Sequence, residues 1–283
     1  MPVDYKESEH SNLVLSEFHH IVGTAFFILS PMIFYFSGTG NSKWIAQQLA
    51  QAHQEPLVFI PDALRSKTTE FSLTENEKVG FVFPIYSWGP PPIVLQFIEQ
   101  LVLHSFCGQY LFFVCSCGDD TGLTEQVLRK AFSARGWECN AGFSVTMPNN
   151  YVLLPGFDVD SKEVEQEKLR RAVPALAEIN RLIGERKSLF RCHEGSMPFI
   201  KTRLINPLFT RYSISPKKFR ATQACIACGR CEAACPVQNI VMVDGKPVWG
   251  ANCTSCLACY HVCPKQAVQY GKQTQKKGQY FKG

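Results

Sequence analysis

Eight of the thirteen cysteines fall in one stretch, Cys225 to Pro264, and in a strict order. It reads C-I-A-C-G-R-C-E-A-A-C-P and, further on, C-T-S-C-L-A-C-Y-H-V-C-P. Each half is C-x2-C-x2-C-x3-C-P, and a repeat of 28 residues pairs Cys225 with Cys253, Cys228 with Cys256, Cys231 with Cys259 and Cys235 with Cys263. Three thiolates so spaced can curl a tight loop around a cube of iron and sulfide. The fourth, carried past the loop and followed by Pro236 or Pro264, faces the other cube. The pattern therefore assigns Cys225, Cys228, Cys231 and Cys263 to one 4Fe–4S cluster, and Cys253, Cys256, Cys259 and Cys235 to a second. A structural zinc site needs neither the third Cys nor the C-P step. A disulfide framework needs an oxidising compartment.

The remaining cysteines, Cys107, Cys115, Cys117, Cys139 and Cys192, are odd in number and scattered. They read as reduced thiols filling a core in a cytoplasmic protein. The 283 residues are 46% hydrophobic and 19% charged, enough for one large domain or two ordinary ones with a proper core. Charge is unevenly spread. Residues 186–283 hold sixteen bases against three acids, whereas residues 1–30 hold one Lys and four acids. Each oxidised cluster with its thiolates offsets about two of those bases. The excess points to docking on an acidic surface, within the chain or on an unidentified redox partner protein, rather than to nucleic acid.

Along the chain, residues 1–31 read as an extension. Its apolar run Ile21–Leu29 has the wrong flanks for a signal peptide and is too short for a membrane span. Met32 then opens an apolar strand, followed by Ser37-Gly38-Thr39-Gly40-Asn41-Ser42 and a helix from Lys43 to His53. A strand, a loop of glycines and hydroxyls, and a helix N-terminus make a phosphate cradle. It has neither the G-K-[ST] ending of a nucleotide triphosphate loop nor G-x-G-x-x-G.

Further strands are expected at Leu57–Ile60, Val79–Phe83, Tyr110–Cys115 and Trp137–Val145. Helices are expected at Pro91–Leu103, Leu123–Ala134 and Asp160–Lys187, the last capped by Asp160. The alternation predicts an α/β fold with a doubly wound, parallel, five-stranded sheet. Its ligand lies beyond the carboxyl ends of the strands. Loops leaving those ends bring Tyr86, Trp88, Gly118, Asp119 and Tyr151 to the crevice beside Ser37–Ser42. A phosphate cradle beside aromatic side chains suits a flat ring on a phosphorylated tail. The loop serves one terminal phosphate, which favours FMN over FAD or NAD.

Met32–Lys187 resembles the flavodoxins, whose phosphate loop [ST]-x-T-G-x-[ST] is matched by Ser37–Ser42. Cys117-Gly118-Asp119-Asp120 resembles their G-x-G-D loop. Leu123 and Thr124 stand where those proteins place a Tyr on the flavin, so Trp88 or Tyr151 is expected to take that role. Residues 32–283 as a whole resemble bacterial ferredoxins with an N-terminal flavodoxin-like domain. The resemblance implies electron transfer through FMN and two 4Fe–4S clusters. It divides the chain into a flavodoxin-like domain (32–187), a basic linker with an amphipathic helical stretch (188–220), a small α+β ferredoxin domain (221–271) and a loosely held basic tail (272–283).

The apolar stripe Ile200, Leu204, Leu208 and Tyr212 in the linker is expected to pack between the two parts. The two cofactor sites are expected to act independently. No general acid, base or nucleophile stands out. Two other readings stay open at this point: a flavin-dependent reductase with a pocket beside Trp88 and Tyr151, and a flavin-free carrier whose first domain is a docking module.

Overall fold

The computed structural model of the protein describes residues 32–213 and 215–282. The expected extension and its apolar run lie outside them. The first part runs β1 (Met32–Tyr35), α1 (Asn41–His53), β2 (Leu57–Phe59), α2 (Ile60–Ser66), β3 (Glu70–Ser72), β4 (Lys78–Pro84) and α3 (Pro92–Gln100). It continues with β5 (Val102–His104), β6 (Tyr110–Cys117), α4 (Thr124–Ser133), β7 (Ala141–Thr146), α5 (Lys162–Gly184) and β8 (Leu189–Arg191). One parallel sheet is ordered β2-β1-β4-β6-β7-β8, while β3 and β5 pair apart from it.

The two central strands, β4 and β6, are apolar over 79–83 and 110–115, because helices cover both faces of the sheet. Side chains alternate between the faces. Phe34, Phe81 and Phe113 go to one core with α3 and α4, and Ile33, Val82 and Phe112 to the other with α1 and α5. The chain order reverses between β1 and β4. A crevice therefore opens beyond their carboxyl ends, where the Ser37 and Tyr86 loops emerge.

The sheet has six strands rather than five. The sixth, β8, comes from the expected linker and pairs with β7 through Ala141↔Leu189 and Phe143↔Arg191. Three residues are too few to carry a readable period. The fifth main strand starts at Ala141 instead of Trp137. Asn140 ends the preceding loop, its side-chain oxygen accepting from the Leu111 amide at 2.8 Å. The long helix is capped by Ser161, whose hydroxyl accepts from the Val164 amide at 3.4 Å, not by Asp160. Asp160 is engaged by Asn149 and, at 2.8 Å, by Lys168.

The second part begins with α6 (Pro198–Ile200), a π turn (Lys201–Ile205) and α7 (Asn206–Tyr212), continuous in backbone conformation. Pro207 does not break it, because the proline falls at the first turn of α7. The amphipathic stripe is real but turned outward. Ile200, Leu204, Leu208 and Tyr212 are 44–67% exposed, so the expected packing between domains is wrong. The inward side is polar: Lys201 reaches Asp120, Thr202 accepts from the Leu123 amide, and Asn206 donates to the Tyr86 carbonyl at 2.8 Å.

Then follow β9 (Phe219–Ala221), α8 (Arg230–Ala233), β10 (Ile240–Val243), β11 (Lys246–Trp249), α9 (Ala258–His261) and β12 (Val268–Tyr270). β10 and β11 form the expected hairpin about Asp244 and Gly245, both at positive φ. β12 closes antiparallel on β9. Val152 and Leu153, from the loop after β7, are buried in this second core beside Phe219, Tyr260 and Tyr270. The two parts are thus packed together rather than tethered.

The tail is held, not loose. Lys277 Nζ donates to the carbonyls of Val152 and Leu154 at 2.7 and 2.6 Å, and the Gly278 amide to Asp158 at 3.0 Å. The Tyr280 hydroxyl reaches Asn41 Oδ1 at 2.6 Å, and the Lys282 amide reaches the Thr39 carbonyl at 2.8 Å. A composition of Lys, Gln and Gly hid an ordered strap, because its anchors are backbone carbonyls and the side chains of Asp158 and Asn41, all more than 100 residues away in sequence.

Candidate redox centres at the domain junction

The 28-residue repeat in sequence is also a repeat of backbone. Ala227 and Ser255 have φ of 54° and 52°, Gly229 and Leu257 have 70° and 64°, and Gln238 and Gln266 have 50° and 47°. Non-glycine residues in this left-handed region cost about 1–2 kcal/mol each. The matched pairs mark two loops of one shape. Each loop turns an amide onto its fourth sulfur, Asn239 N to Cys235 Sγ at 3.1 Å and Ala267 N to Cys263 Sγ at 3.2 Å.

The structure gathers the cysteines across the repeat. Cys225, Cys228, Cys231 and Cys263 line one small cavity with Met242 and Pro247. Burial pushes the Cys231 thiol up, and the nearby Cys263 and Cys225 push the same way. Burial also drives Cys256 up to about 12, with Cys235 and Cys253 adding to it. Cys235 therefore faces Cys253 and Cys256, while Cys263 faces the first loop. All eight are free of disulfides. Among the described residues no group of three or more His, Cys, Asp or Glu converges on a single ion. Around Cys253, Cys256 and Cys259 four side-chain donors are buried: Trp249 Nε1, Thr254 Oγ1 and Ser255 Oγ have only the sulfurs of Cys259, Cys256 and Cys253 within reach, and Tyr86 Oη has no partner among the described residues. Sulfur-rich groups at both positions fit these surroundings.

Of the other thiols, Cys115, Cys117 and Cys139 are buried as expected, Cys192 is half-buried, and Cys107 is exposed instead. Among the histidines, His261 is a structural latch. Its Nε2 lies 2.7 Å from the Asn150 carbonyl and its Nδ1 accepts from the Tyr280 amide at 3.1 Å. Burial pushes it down to about 4, so it is neutral with the proton on Nε2.

A cavity of about 920 Å³ lies beyond the carboxyl ends of β1, β4, β6 and β7. Ser37, Gly38, Thr39, Asn41, Ser42, Tyr86, Trp88, Gly118, Asp119 and Tyr151 all line it; Gly40 is absent from its wall. Gly40, with φ of 103°, instead turns the chain into α1. Thr39 Oγ1 accepts from Asn150 Nδ2 at 2.5 Å, and the Ser42 hydroxyl pairs with that of Ser116 at 2.8 Å. No acid stands in the first turn of α1, so nothing there repels an anion. The cradle fits a phosphate.

The expected aromatic residues are placed in three different ways. Trp88 sits with φ of 64° under the Lys201 ammonium, 5.1 Å from its ring. Tyr151 packs edge-on against Phe157 and Phe209. Tyr86 packs edge-on against Phe36, its hydroxyl is buried without a partner among the described residues, and it shares the cavity wall with Cys256. Asp119 is exposed, whereas Asp120 is held at 2.5 Å by Lys201. Gly118 lies under the Asn149 amide, where a side chain would collide. Sequence reasoning missed Lys201, Phe209 and Tyr212 in this wall. One signal was available: Thr202 and Asn206, four apart, set a polar line opposite the apolar stripe.

The cavity and the cysteines share a wall. Ser255, Cys256 and Leu257 line the cavity. A Cβ placed on Gly38 would meet the Cys256 carbonyl oxygen at 2.5 Å and its Cβ at 2.7 Å. The phosphate loop thus rests directly on a cysteine of the second set.

Family comparisons agree with this division. The flavodoxin domain profile matches residues 32–149 and the 4Fe–4S dicluster domain profile matches residues 224–268. The chain is a flavodoxin domain fused to a 4Fe–4S dicluster ferredoxin domain. This fusion is an iron–sulfur flavoprotein of electron transfer.

Several solved structures are similar to about half of this chain. Trp repressor binding protein from Bacillus subtilis is 18% identical, with 53% of this chain and 96% of that one covered at a TM-score of 0.35. A putative flavoprotein from Bacteroides uniformis is 19% identical, covering 50% and 97% at 0.31. An FMN-dependent NADH-azoreductase from Bacillus anthracis, in complex with FMN, is 9% identical, covering 53% and 98% at 0.31. A comparison with curated proteins finds no match. Among the described residues no helix is long and apolar enough to cross a membrane.

Proposed function

We propose that the fusion passes single electrons between a redox partner protein and FMN through two 4Fe–4S clusters. One cluster is held by Cys225, Cys228, Cys231 and Cys263, and the other by Cys235, Cys253, Cys256 and Cys259. FMN places its phosphate on Ser37–Ser42 and its ring between the Tyr86–Trp88 loop and Tyr151, with Gly118 and Asp119 at its edge. Clusters exchange one electron at a time and flavin one or two, so bound together they join one-electron and two-electron chemistry.

The chain's own residues keep the centres close and dry. Tyr280 and Lys282 hold the cradle from the ferredoxin side, and His261 holds Asn150, which in turn holds Thr39. The single observation that carries this reading is the contact of Gly38 with Cys256. Cys228 is exposed, whereas Cys256 adjoins the cavity. The Cys225 set therefore suits exchange with the partner, and the Cys253 set suits exchange with flavin.

Anaerobic purification with flavin, iron and sulfide quantified together tests it. One FMN and about eight irons and eight sulfides per chain are expected. Full clusters without flavin, in a flavin-replete host, favour the docking-module reading instead.

A second reading rests on cavity size. At about 920 Å³ the cavity is near the upper end of the roughly 300–1,000 Å³ range of small-molecule sites. Leu154, Phe157, Leu208 and Tyr212 add an apolar wall at its mouth. A flavin-dependent reduction of a small apolar compound would use that wall. Turnover of such compounds by the reduced protein, lost in Phe157→Ser and Leu208→Ser with flavin retained, distinguishes it from a pure carrier.

A further inference from the structure

Four buried donors gather at one place in this fold, three with only cysteine sulfurs in reach and the fourth, Tyr86, with no partner among the described residues, and none lines the cavity of the other cysteine set. Thr254 and Ser255 follow Cys253 in the loop. Trp249, at the end of β11, is within hydrogen-bonding reach of the Cys259 sulfur. Tyr86 comes from the other domain. Its ring is fixed against Phe36 at 6.2 Å, its carbonyl is taken by Asn206, and its hydroxyl has Cys256 and Cys253 as neighbours. Buried hydroxyl and indole groups are costly unless they find an acceptor. The acceptors that chemistry supplies here are thiolate and sulfide sulfurs.

We propose that Tyr86 donates a hydrogen bond across the domain junction to the cluster held by Cys235, Cys253, Cys256 and Cys259, and thereby raises that cluster's reduction potential. The inference rests on the cofactor reading above. A donor aimed at sulfur favours the reduced cluster, which carries the extra negative charge. Tyr86 also lines the flavin cavity, so one residue borders both redox groups. The potential next to the flavin then depends on the flavodoxin domain being docked. Tyr86 is a positioning and tuning residue and needs no proton transfer of its own.

The test is an anaerobic redox titration of the full, cofactor-loaded chain, followed by electron paramagnetic resonance, for wild type and Tyr86→Phe. Phe keeps the ring and removes only the donor. One cluster potential should move negative by about a tenfold change in its reduction equilibrium, 59 mV for one electron, while the other stays. Thr254→Val should move the same potential in the same direction. Unshifted potentials, equal shifts of both clusters, or a shift only in the cluster of Cys225 overturn the proposal. Loss of iron from Tyr86→Phe overturns it too, since a tuning bond is not a ligand. Wild-type protein without two cluster signals sinks the cofactor reading itself, and the hydrogen bond with it.

Discussion

Replacing Gly38 by Ala probes the junction with one methyl group. Gly38 does not lie in the left-handed region, so Ala accepts its backbone, and a stiffer unfolded chain alone would stabilise by about 0.4–1 kcal/mol. Against that, the new Cβ would sit 2.5 Å from the Cys256 carbonyl oxygen and 2.7 Å from its Cβ. Those atoms cannot swing away as a side-chain tip can, because Cys256 sits in a tight loop between Ser255 and Leu257, both at positive φ. Overpacking of this kind costs about 1–3 kcal/mol, leaving a net loss of roughly 1–2 kcal/mol. For a chain of this size the melting temperature should fall by about 2–8 °C. The strain is relieved most easily by parting the domains, so flavin and one cluster should be lost together. Calorimetry under anaerobic conditions, with iron and flavin assayed on the same sample, reads both. A Gly38→Ala protein with unchanged melting temperature and full cofactors would refute the contact.

Removing residues 272–283 takes away Tyr280, Lys277 and Lys282. Flavin affinity should drop at least tenfold by fluorescence titration, with melting lowered, and an unchanged affinity would mean the strap is ornamental. Thr39→Leu removes the acceptor of Asn150 and fills the cradle, so flavin content should fall to background by absorbance while most of the iron remains. Burial raises the Glu55 carboxyl to about 7, against the pull of Lys78 at 3.8 Å. The folded chain therefore keeps a proton that the unfolded one releases above its ordinary 4.5, and stability tied to this group is lost as pH rises from there through 7. Glu55→Gln should raise stability at pH 8 by about 1–2 kcal/mol after allowing for screening, and change little at pH 4.5. A gain at the lower pH instead would show that the sign is wrong.

The cysteine repeat and the Ser37–Ser42 loop were legible because their chemistry demands local spacing. Thiolates on a cube and amides around a phosphate must come from neighbouring residues. The central strands were legible for the same kind of reason, since burial on both faces forces an unbroken apolar run. What escaped was relational. Asp160 looks like a helix cap, yet the turn places Ser161 at the cap and gives Asp160 to Asn149 and Lys168. The stripe of α6–α7 looks like a core face, yet Lys201, Thr202 and Asn206 find polar partners inward and leave the apolar side out. The tail looks unstructured, yet its Tyr280 closes on a residue 239 positions away. Independence of the two centres was the natural reading of two motifs set far apart in sequence. The packing of Gly38 on Cys256 shows that the gap along the chain was no measure of distance.

The strap also sets an order in time. Asn41 leaves the ribosome 239 residues ahead of its partner Tyr280, so at about 5–20 residues per second the cradle waits roughly 10–50 s for this contact. The flavodoxin domain can fold in that interval, but its phosphate loop still lacks Lys282, and the wall made by Cys256 has yet to arrive. A nascent chain would then hold flavin weakly until its cluster loops have emerged. Assembly of the two centres becomes sequential by geometry alone, and a flavin is secured only on a chain whose iron–sulfur half is already in place to exchange electrons with it.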